Sequence, residues 1–230
     1  NNSRDILDNE VISPKLKLQS GQDPYNEENY KVFNQKDFAP DKMHIKAKDF
    51  IEKNKDNPFF LYYASPIPHA PLQAPEYLIE KYRKIIGDEE PYLGNVGYFP
   101  TRYPRSTYAA MIEYIDIQVG EIVQQLKDNG IYDNTIIMLT SDNGPTYAGG
   151  VDFKYFNSTG IFQNDSKRMK GYTYEGGLRV PFIVSWPNKI KSKRVIDDIS
   201  ISYDIFPTIT ELSGVNDTNS YPIDGISSVS

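Results

Sequence analysis

The chain has 230 residues, of which 39% are hydrophobic and 24% charged, with a net charge of −6 and a pI of about 5.0. That length accommodates one large domain with a sizeable core, and the acidic balance argues against a nucleic-acid partner, which would favour a basic face. The sequence contains no cysteine, which excludes disulfides and thiolate zinc sites. Because no apolar run approaches the roughly 18 residues of a membrane span, no membrane association is expected.

Residues 1–40 are polar and are interrupted by prolines and a glycine, which predicts a long irregular segment. Only 11–18 has strand character, because Leu16 and Leu18 alternate with lysines. Irregular segments of this length are uncommon inside a compact domain. The chain also begins at Asn1 rather than Met and shows no signal peptide. We therefore expect a processed or truncated chain, whose first segment is functional or packs on an absent part.

The next stretch predicts a helix, a buried strand and a second helix. Asp41 is a suitable N-cap for a helix over about 42–54, and the apolar, aromatic run at 58–64 predicts an interior strand. Prolines exclude regular structure at 65–75, because they remove backbone donors and fix φ. The last of these prolines suits the first turn of a helix that ends near Ile86.

The strongest helix pattern runs from about Thr107 to Lys127, where apolar residues recur at three- and four-residue spacing. Gly130 follows its end, where a left-handed residue is favoured. The later elements predicted are interior strands at 135–140 and 180–186, a polar surface loop at 145–169 and a final helix over 202–212.

Alternating apolar strands and amphipathic helices predict an α/β fold, with a largely parallel mixed sheet flanked by helices on both faces. Interior strands are few for such a sheet, so we expect an incomplete domain. The predicted organisation is one partial domain over 1–230, with an irregular segment at 1–40, an α/β core at 41–214 and a loose tail at 215–230.

Asp142 and Asn143 directly follow the predicted strand at 135–140. A carboxylate beside an amide oxygen suits a hard cation such as Ca²⁺ or Mg²⁺, and strand ends in α/β sheets are common ligand sites. Asp-Asn-Gly is also a common turn sequence, so a simple turn stays an alternative. Two ligands cannot satisfy calcium, which takes about six to eight, so further ligands would have to come from elsewhere.

His69 is one of two histidines and lies in the proline-rich loop. A rigid loop holds an imidazole in place at small entropic cost, which suits an acid–base role. A structural or surface histidine is the alternative for His69. For His44, within a predicted amphipathic helix, the structural role is the prediction.

Lys170 precedes Gly171 and the Glu175-Gly176-Gly177 turn. A lysine beside glycines can approach an anion closely, although a solvated lysine is the alternative. Glu175 and Arg179 are predicted to pair locally, and Asp116, on the long helix, is predicted to be structural.

Four segments occur in a specific order: PFFLYYASPIPHAP at 58–71, YAAMIEYIDIQVG at 108–120, TIIMLTSDNG at 135–144 and KGYTYEGGLRVP at 170–181. This set resembles the formylglycine-dependent sulfatases of the arylsulfatase type, within the alkaline-phosphatase-like superfamily. The resemblance runs from about residue 30 to the end and includes DIFPTITELSG at 204–214.

The resemblance implies a role for each candidate residue. Asp142 and Asn143 match the family's downstream metal ligands, normally for calcium, with magnesium as an alternative. His69 matches the histidine that contacts the sulfate ester and can protonate the leaving oxygen, and Lys170 matches the lysine that bridges sulfate and leaving group. Such a set could stabilise the charge of a sulfuryl-transfer transition state. The implied partner is a sulfated small molecule or glycan, and the resemblance favours a periplasmic or secreted protein.

The family's nucleophile is a formylglycine made from the Cys or Ser of a C/S-x-P-x-R motif, and this chain lacks that motif. Its only S-x-P run, Ser185-Trp186-Pro187, is followed by Asn188 and lacks the required arginine. The upstream acidic pair that completes the metal site is not recognisable either. The resemblance therefore implies the C-terminal part of a sulfatase catalytic domain, inactive alone, whose partner is the missing N-terminal part of the same domain.

Two alternatives stay open. A phosphodiesterase or phosphonate hydrolase of the same superfamily would normally add downstream metal-binding histidines, and no histidine follows Asn143. A non-catalytic carbohydrate-binding or scaffold domain is favoured by the missing nucleophile. It is disfavoured by the intact set of His69, Asp142, Asn143 and Lys170. A C/S-x-P-x-R motif upstream in the parent protein would decide for the sulfatase.

Overall fold

The computed structural model describes residues 4–162, 164–215 and 222–229. The chain forms two compact units, Asn1–Ile190 and Lys191–Ser230. The first unit contains α1 (Ala39–Asn54), α2 (Glu76–Ile86), α3 (Pro104–Asp128), β1 (Ile137–Thr140), α4 (Glu175–Leu178) and β2 (Phe182–Ser185), and the second contains α5 (Ile205–Leu212). Short 3₁₀ turns lie at Glu27–Phe33, Tyr132–Asn134, Ser166–Arg168 and Ser202–Asp204.

The predicted division at residues 40 and 214 stays a prediction. Within the described ranges, no helix is both long and apolar enough to cross a membrane.

The first helix begins earlier than predicted. Phe38 precedes α1 as its N-cap, and Pro40 lies in the first turn, where its missing N–H costs no helical hydrogen bond. The prediction that Asp41 caps this helix is therefore wrong. Asp41 instead lies inside α1 and accepts a hydrogen bond from the hydroxyl of Tyr114 on α3.

The long helix α3 also begins earlier, at Pro104, and it is capped from a distance. The buried carboxylate of Glu89 accepts hydrogen bonds from the amides of Arg105 at 2.6 Å and Ser106 at 3.1 Å. It also accepts one from the Ser106 hydroxyl at 2.5 Å. One side chain thus satisfies two of the free N–H groups that every helix start presents.

The strands predicted at 135–140 and 180–186 both form, and each is shorter than predicted. β1 and β2 pair in antiparallel fashion, with Ile137 opposite Ser185 and Thr140 opposite Phe182. In the described part of the chain they form the only sheet. The sequence predicts a largely parallel mixed sheet, whereas the pair described here is antiparallel. It brings the loop after β1 close to the turn before β2.

The strands predicted at 58–64 and 11–18 are wrong for this chain. Residues 58–64 keep the alternation of a strand, because Phe60 is 66% and Tyr62 81% exposed while their neighbours are half-buried. Within the described residues, however, no backbone hydrogen bond joins this segment to another strand. A strand needs a partner backbone, so the apolar pattern alone was not sufficient. At 11–18, Pro14 lies in a turn instead.

The core of the first unit anchors the proline-rich loop on α3. Ile67 and Leu72, on either side of His69, form a buried cluster with Met111 of α3 and with Val151. Ala70 is buried as well. Apolar burial on both sides fixes the loop, and His69 remains exposed between the two anchors.

In the second unit, the helix predicted at 202–212 is confirmed as a 3₁₀ turn followed by α5, with Pro207 in its first turn. The Asp204 carboxylate accepts from the amides of Ile201 and Ile226, each at 2.9 Å. The amide of Ser228 donates to the Thr208 hydroxyl at 3.0 Å. Part of the tail that was predicted to be loose is therefore bonded to α5, while 216–221 and 230 lie outside the described residues.

Candidate active site

Two hydrogen bonds join the loop after β1 to the loop that carries Lys170. The amide of Gly144 donates to the carbonyl of Gly177 at 2.9 Å, and the amide of Lys170 donates to the carbonyl of Pro145 at 3.0 Å. The acidic loop and the lysine loop are thus direct neighbours, although many residues separate them in the sequence.

The glycines at this junction are required by close backbone approach. A Cβ on Gly144 would overlap the carbonyl oxygen of Gly176, and a Cβ on Gly177 would overlap the carbonyls of Met169 and Tyr172. Neither Gly144 nor Gly177 has a positive φ. Their role is therefore the absence of a side chain rather than conformational freedom.

Asp142 and Asn143 present oxygen atoms just beyond the end of β1. The side chain of Asp142 is exposed, and the Asn143 side-chain nitrogen donates to the carbonyl of Gly144 at 3.0 Å. That bond leaves the side-chain oxygen of Asn143 as an acceptor. In kind, this pair fits a hard cation such as calcium. Two ligands are too few to hold calcium. Among the described residues, no group of three or more His, Cys, Asp or Glu could hold a metal ion.

The imidazole of His69 is held by one hydrogen bond and one aromatic contact. Its Nδ1 lies 2.6 Å from the carbonyl oxygen of Ala70, so Nδ1 carries the proton and donates. Its ring meets that of Tyr98 edge-on, with 5.7 Å between centroids. The second nitrogen, Nε2, is left as the atom that can exchange a proton with a ligand.

The loop after β1 also reaches the His69 loop. The amide of Gly149 donates to the carbonyl of Val96 at 3.2 Å. A Cβ on Gly149 would overlap the side chain of Ala70 and touch the ring of Tyr98. One continuous loop therefore contacts the Lys170 loop at Pro145 and the surroundings of His69 at Gly149. The structure brings the candidate loops together, and the convergence of the four side chains on one cleft stays a prediction.

Of the residues predicted to be structural, His44 and the Glu175–Arg179 pair have protein partners, whereas Asp116 is exposed on α3. His44 is buried, with Nε2 3.0 Å from a carboxylate oxygen of Glu121. Hydrogen bonds from Lys48 and from His44 hold the pKa of Glu121 below its ordinary value. Arg179 and Glu175 form the expected local pair at 3.4 Å and are both exposed.

Sequence reasoning missed Tyr98, Gly149 and Glu89. Tyr98 packs on His69 with a φ of 63°, which is unusual for a residue with a side chain. Nothing in the sequence marks it apart from the nearby Gly94 and Gly97. For Gly149, the Gly149-Gly150 dipeptide is a signal from which a close backbone approach could have been predicted. Glu89 carried no signal, because its cap joins positions far apart in the sequence.

Comparison with known proteins gives consistent matches. A family model described as Sulfatase matches residues 12–215. Human N-acetylgalactosamine-6-sulfatase is 30% identical over 181 residues, covering 78% of this chain and 30% of the relative. Steryl-sulfatase of Rattus norvegicus is 29% identical over 182 residues, covering 78% of this chain and 27% of the relative.

Solved structures agree with these matches. The crystal structure of Ps i-CgsB in complex with k-i-k-neocarrahexaose is 31% identical, with a TM-score of 0.65, and covers 82% of this chain and 37% of that one. A putative sulfatase from Bacteroides fragilis is 27% identical, with a TM-score of 0.57, and covers 77% of this chain and 37% of that one.

These neighbours confirm the predicted fold class, an α/β protein of the alkaline-phosphatase-like type, here in incomplete form. The chain belongs to the sulfatase family. It spans between 27% and 45% of the length of the first curated relatives it matches.

Proposed function

We propose that the whole protein hydrolyses sulfate esters and that this chain is the C-terminal part of its catalytic domain. The observation that carries the proposal is the junction of Gly144 with Gly177, which places the acidic loop beside the lysine loop at the end of a strand. Family membership supplies the reaction class, and the junction supports the assignment of these loops to one site.

Lys170 and His69 act on the ester in this proposal. The ammonium of Lys170 neutralises charge on the sulfate and on the departing oxygen, and such stabilisation is often the largest part of a catalytic effect. In its imidazolium form, with the Nδ1 proton donated to the carbonyl of Ala70, His69 gives the Nε2 proton to the leaving oxygen and is left as the neutral imidazole.

Asp142 and Asn143 would hold a hard cation, calcium or alternatively magnesium, together with ligands from the rest of the protein. When bound, the ion supplies positive charge for a sulfate oxygen. The exposed carboxylate of Asp142 and the free oxygen of Asn143 support this part of the proposal.

The covalent nucleophile would be a formylglycine in the part of the protein upstream of this chain. Without it, the groups present here can stabilise charge but cannot form a covalent intermediate. This chain alone is therefore inactive in the proposal, and its partner is the N-terminal part of the same domain.

For the substrate we propose a sulfated glycan. Ps i-CgsB was crystallised with a neocarrahexaose, and another relative is named an N-acetylgalactosamine-6-sulfatase. A sulfated small molecule is the second candidate, favoured by the relative named steryl-sulfatase. We also propose a periplasmic or secreted location, for which the family resemblance is the support and cell fractionation the test.

Hydrolysis of 4-nitrophenyl sulfate by the whole protein tests the proposed reaction, with 4-nitrophenyl phosphate as the competing substrate. We expect sulfate release by the whole protein. We expect none from this chain alone or from a whole protein whose upstream motif Cys or Ser is replaced by Ala. Faster hydrolysis of the phosphate would establish a phosphoryl hydrolase instead. If the folded whole protein hydrolyses neither the sulfate nor the phosphate ester, a non-catalytic domain would be favoured.

A further inference from the structure

A cavity of about 500 Å³ lies at the start of α3, beside the loops that hold His69. Its walls come from the segment before α3, the first turn of α3 and the loop after β1. The polar and aromatic residues that matter for a ligand are Glu90, Asn95, Arg105, Tyr147 and Asp152.

The cavity adjoins the candidate site through shared backbone. Val96 and Gly150 line it. Val96 accepts the hydrogen bond of Gly149, which packs against Ala70 and Tyr98 beside His69. A ligand larger than one sulfated unit could therefore reach from the candidate site into the cavity.

The charge of the cavity disfavours an anion. Four carboxylates line it, those of Asp88, Glu89, Glu90 and Asp152, against the two cations Arg105 and Lys154. The guanidinium of Arg105 is already paired with Asp152, through bonds of 2.9 and 2.7 Å. A neighbouring sulfate or uronate would meet net negative charge and no free guanidinium.

The chemistry suits an uncharged sugar. A carboxylate accepts hydrogen bonds from hydroxyls, and an amide side chain both accepts from them and donates to them. An aromatic ring can pack on the apolar face of a pyranose. Tyr147 is 37% exposed and provides such a ring. Tyr92 is a wall residue rather than a ligand group, because its hydroxyl is bonded to Gly97 and Val96.

We propose that this cavity binds a neutral sugar unit adjacent to the sulfated one, so that the protein prefers glycans with an uncharged neighbour at that position. The inference rests on the proposed sulfatase function and adds to it the class of substrate.

The test compares three substrates in the whole protein: 4-nitrophenyl sulfate, a sulfated disaccharide with a neutral neighbour and a sulfated disaccharide with a uronate neighbour. We expect a higher kcat/KM for the neutral disaccharide than for the uronate one. Tyr147→Ala should raise KM for the neutral disaccharide about 3- to 10-fold more than it raises KM for the aryl sulfate. Tyr77→Ala, which removes an exposed tyrosine of α2 outside the cavity, is the matched control and should leave all three substrates unaffected.

Charge reversal gives an independent test. At low salt, Glu90→Lys should raise the ratio of kcat/KM for the uronate disaccharide to kcat/KM for the neutral one by about fivefold. Added salt should reduce this change. Asp116→Lys, on an exposed position of α3, is the matched control and should leave the ratio unchanged.

The outcomes separate this inference from the proposed function. If the aryl sulfate is not cleaved, the proposed function fails and the inference fails with it. If the aryl sulfate is cleaved, but Tyr147→Ala does not raise KM for the neutral disaccharide relative to the aryl sulfate and Glu90→Lys does not change the ratio of kcat/KM between the two disaccharides, the cavity is not a sugar site and the sulfatase function stands.

Discussion

The backbone amide of Gly144 donates to the carbonyl of Gly177 over 2.9 Å, which ties the acidic loop after β1 to the turn before β2. The bond fixes how far Asp142 and Asn143 lie from the loop of Lys170. Because both glycines sit against carbonyl oxygens, the junction tolerates no side chain on either residue.

Gly144→Ala should destabilise the whole protein by about 2 kcal/mol, because a methyl group there forces the two loops apart. Urea unfolding monitored by circular dichroism would measure the change. Gly120→Ala, at an open position inside α3, is the matched control and should stabilise by about 0.5–1 kcal/mol. Equal effects of the two substitutions would show that the junction is looser than described.

Lys170→Ala and His69→Ala should each lower the turnover of an aryl sulfate by the whole protein about 100-fold or more, since each removes a charge-stabilising or acid–base group. Steady-state kinetics would measure it, and Lys167→Ala, on an exposed lysine nearby, should leave turnover unchanged. Wild-type turnover in both His69 and Lys170 variants would contradict the assigned roles.

Calcium should bind this chain weakly or not at all, because Asp142 and Asn143 provide two ligands against the six to eight or so that calcium prefers. Calorimetric titration of the chain would test this, and submicromolar affinity would reveal a site formed by this chain alone. In the whole protein, Asp142→Ala should weaken calcium retention during dialysis.

Glu89→Ala should destabilise the protein by about 2–3 kcal/mol, because it removes three hydrogen bonds at the buried start of α3. The adjacent Glu90→Ala is the control. Its carboxylate is exposed and bonds Tyr25, so its loss should cost about 0.5 kcal/mol. Thermal unfolding of both variants would compare them, and similar losses would rule out the capping role of Glu89.

Asp152 should contribute stability that depends on pH. Burial raises its pKa, but the amide of Tyr155 and the guanidinium of Arg105 outweigh burial and hold the pKa below its ordinary value. A carboxyl whose pKa is lower in the folded state stabilises above its unfolded pKa of about 3.9, and this stability is lost as pH falls through the folded value.

Asp152→Asn should therefore destabilise by about 1 kcal/mol at pH 7, with a difference from wild type that shrinks below about pH 4. Urea unfolding at several pH values would show it. Asp116→Asn, at an exposed position of α3, is the control and should leave stability at pH 7 unchanged. A difference for Asp152→Asn that stays constant with pH would exclude the ionic contribution.

Local patterns predicted most of the helices, because apolar periodicity and prolines at helix starts act within a few residues. They predicted α3 and α5 closely. The family resemblance, rather than a local pattern, assigned Lys170 and Asp142 to one site, and their loops are neighbours in the structure. The cap by Glu89 and the contact of Tyr98 with His69 could not be predicted, since both depend on tertiary contacts. The prediction of a strand at 58–64 was wrong for the same reason. The alternation of exposed and half-buried side chains is present, but a strand also needs a second backbone with which to pair.

The segment at 58–64 also affects how the chain behaves when it is produced by itself. Its sequence PFFLYYA carries no charge, and Phe60 and Tyr62 are largely exposed to water. Open N–H and C=O groups beside exposed aromatic rings are a template for strand addition by another molecule. We therefore expect the separate chain to self-associate and precipitate as its concentration rises, through this short segment.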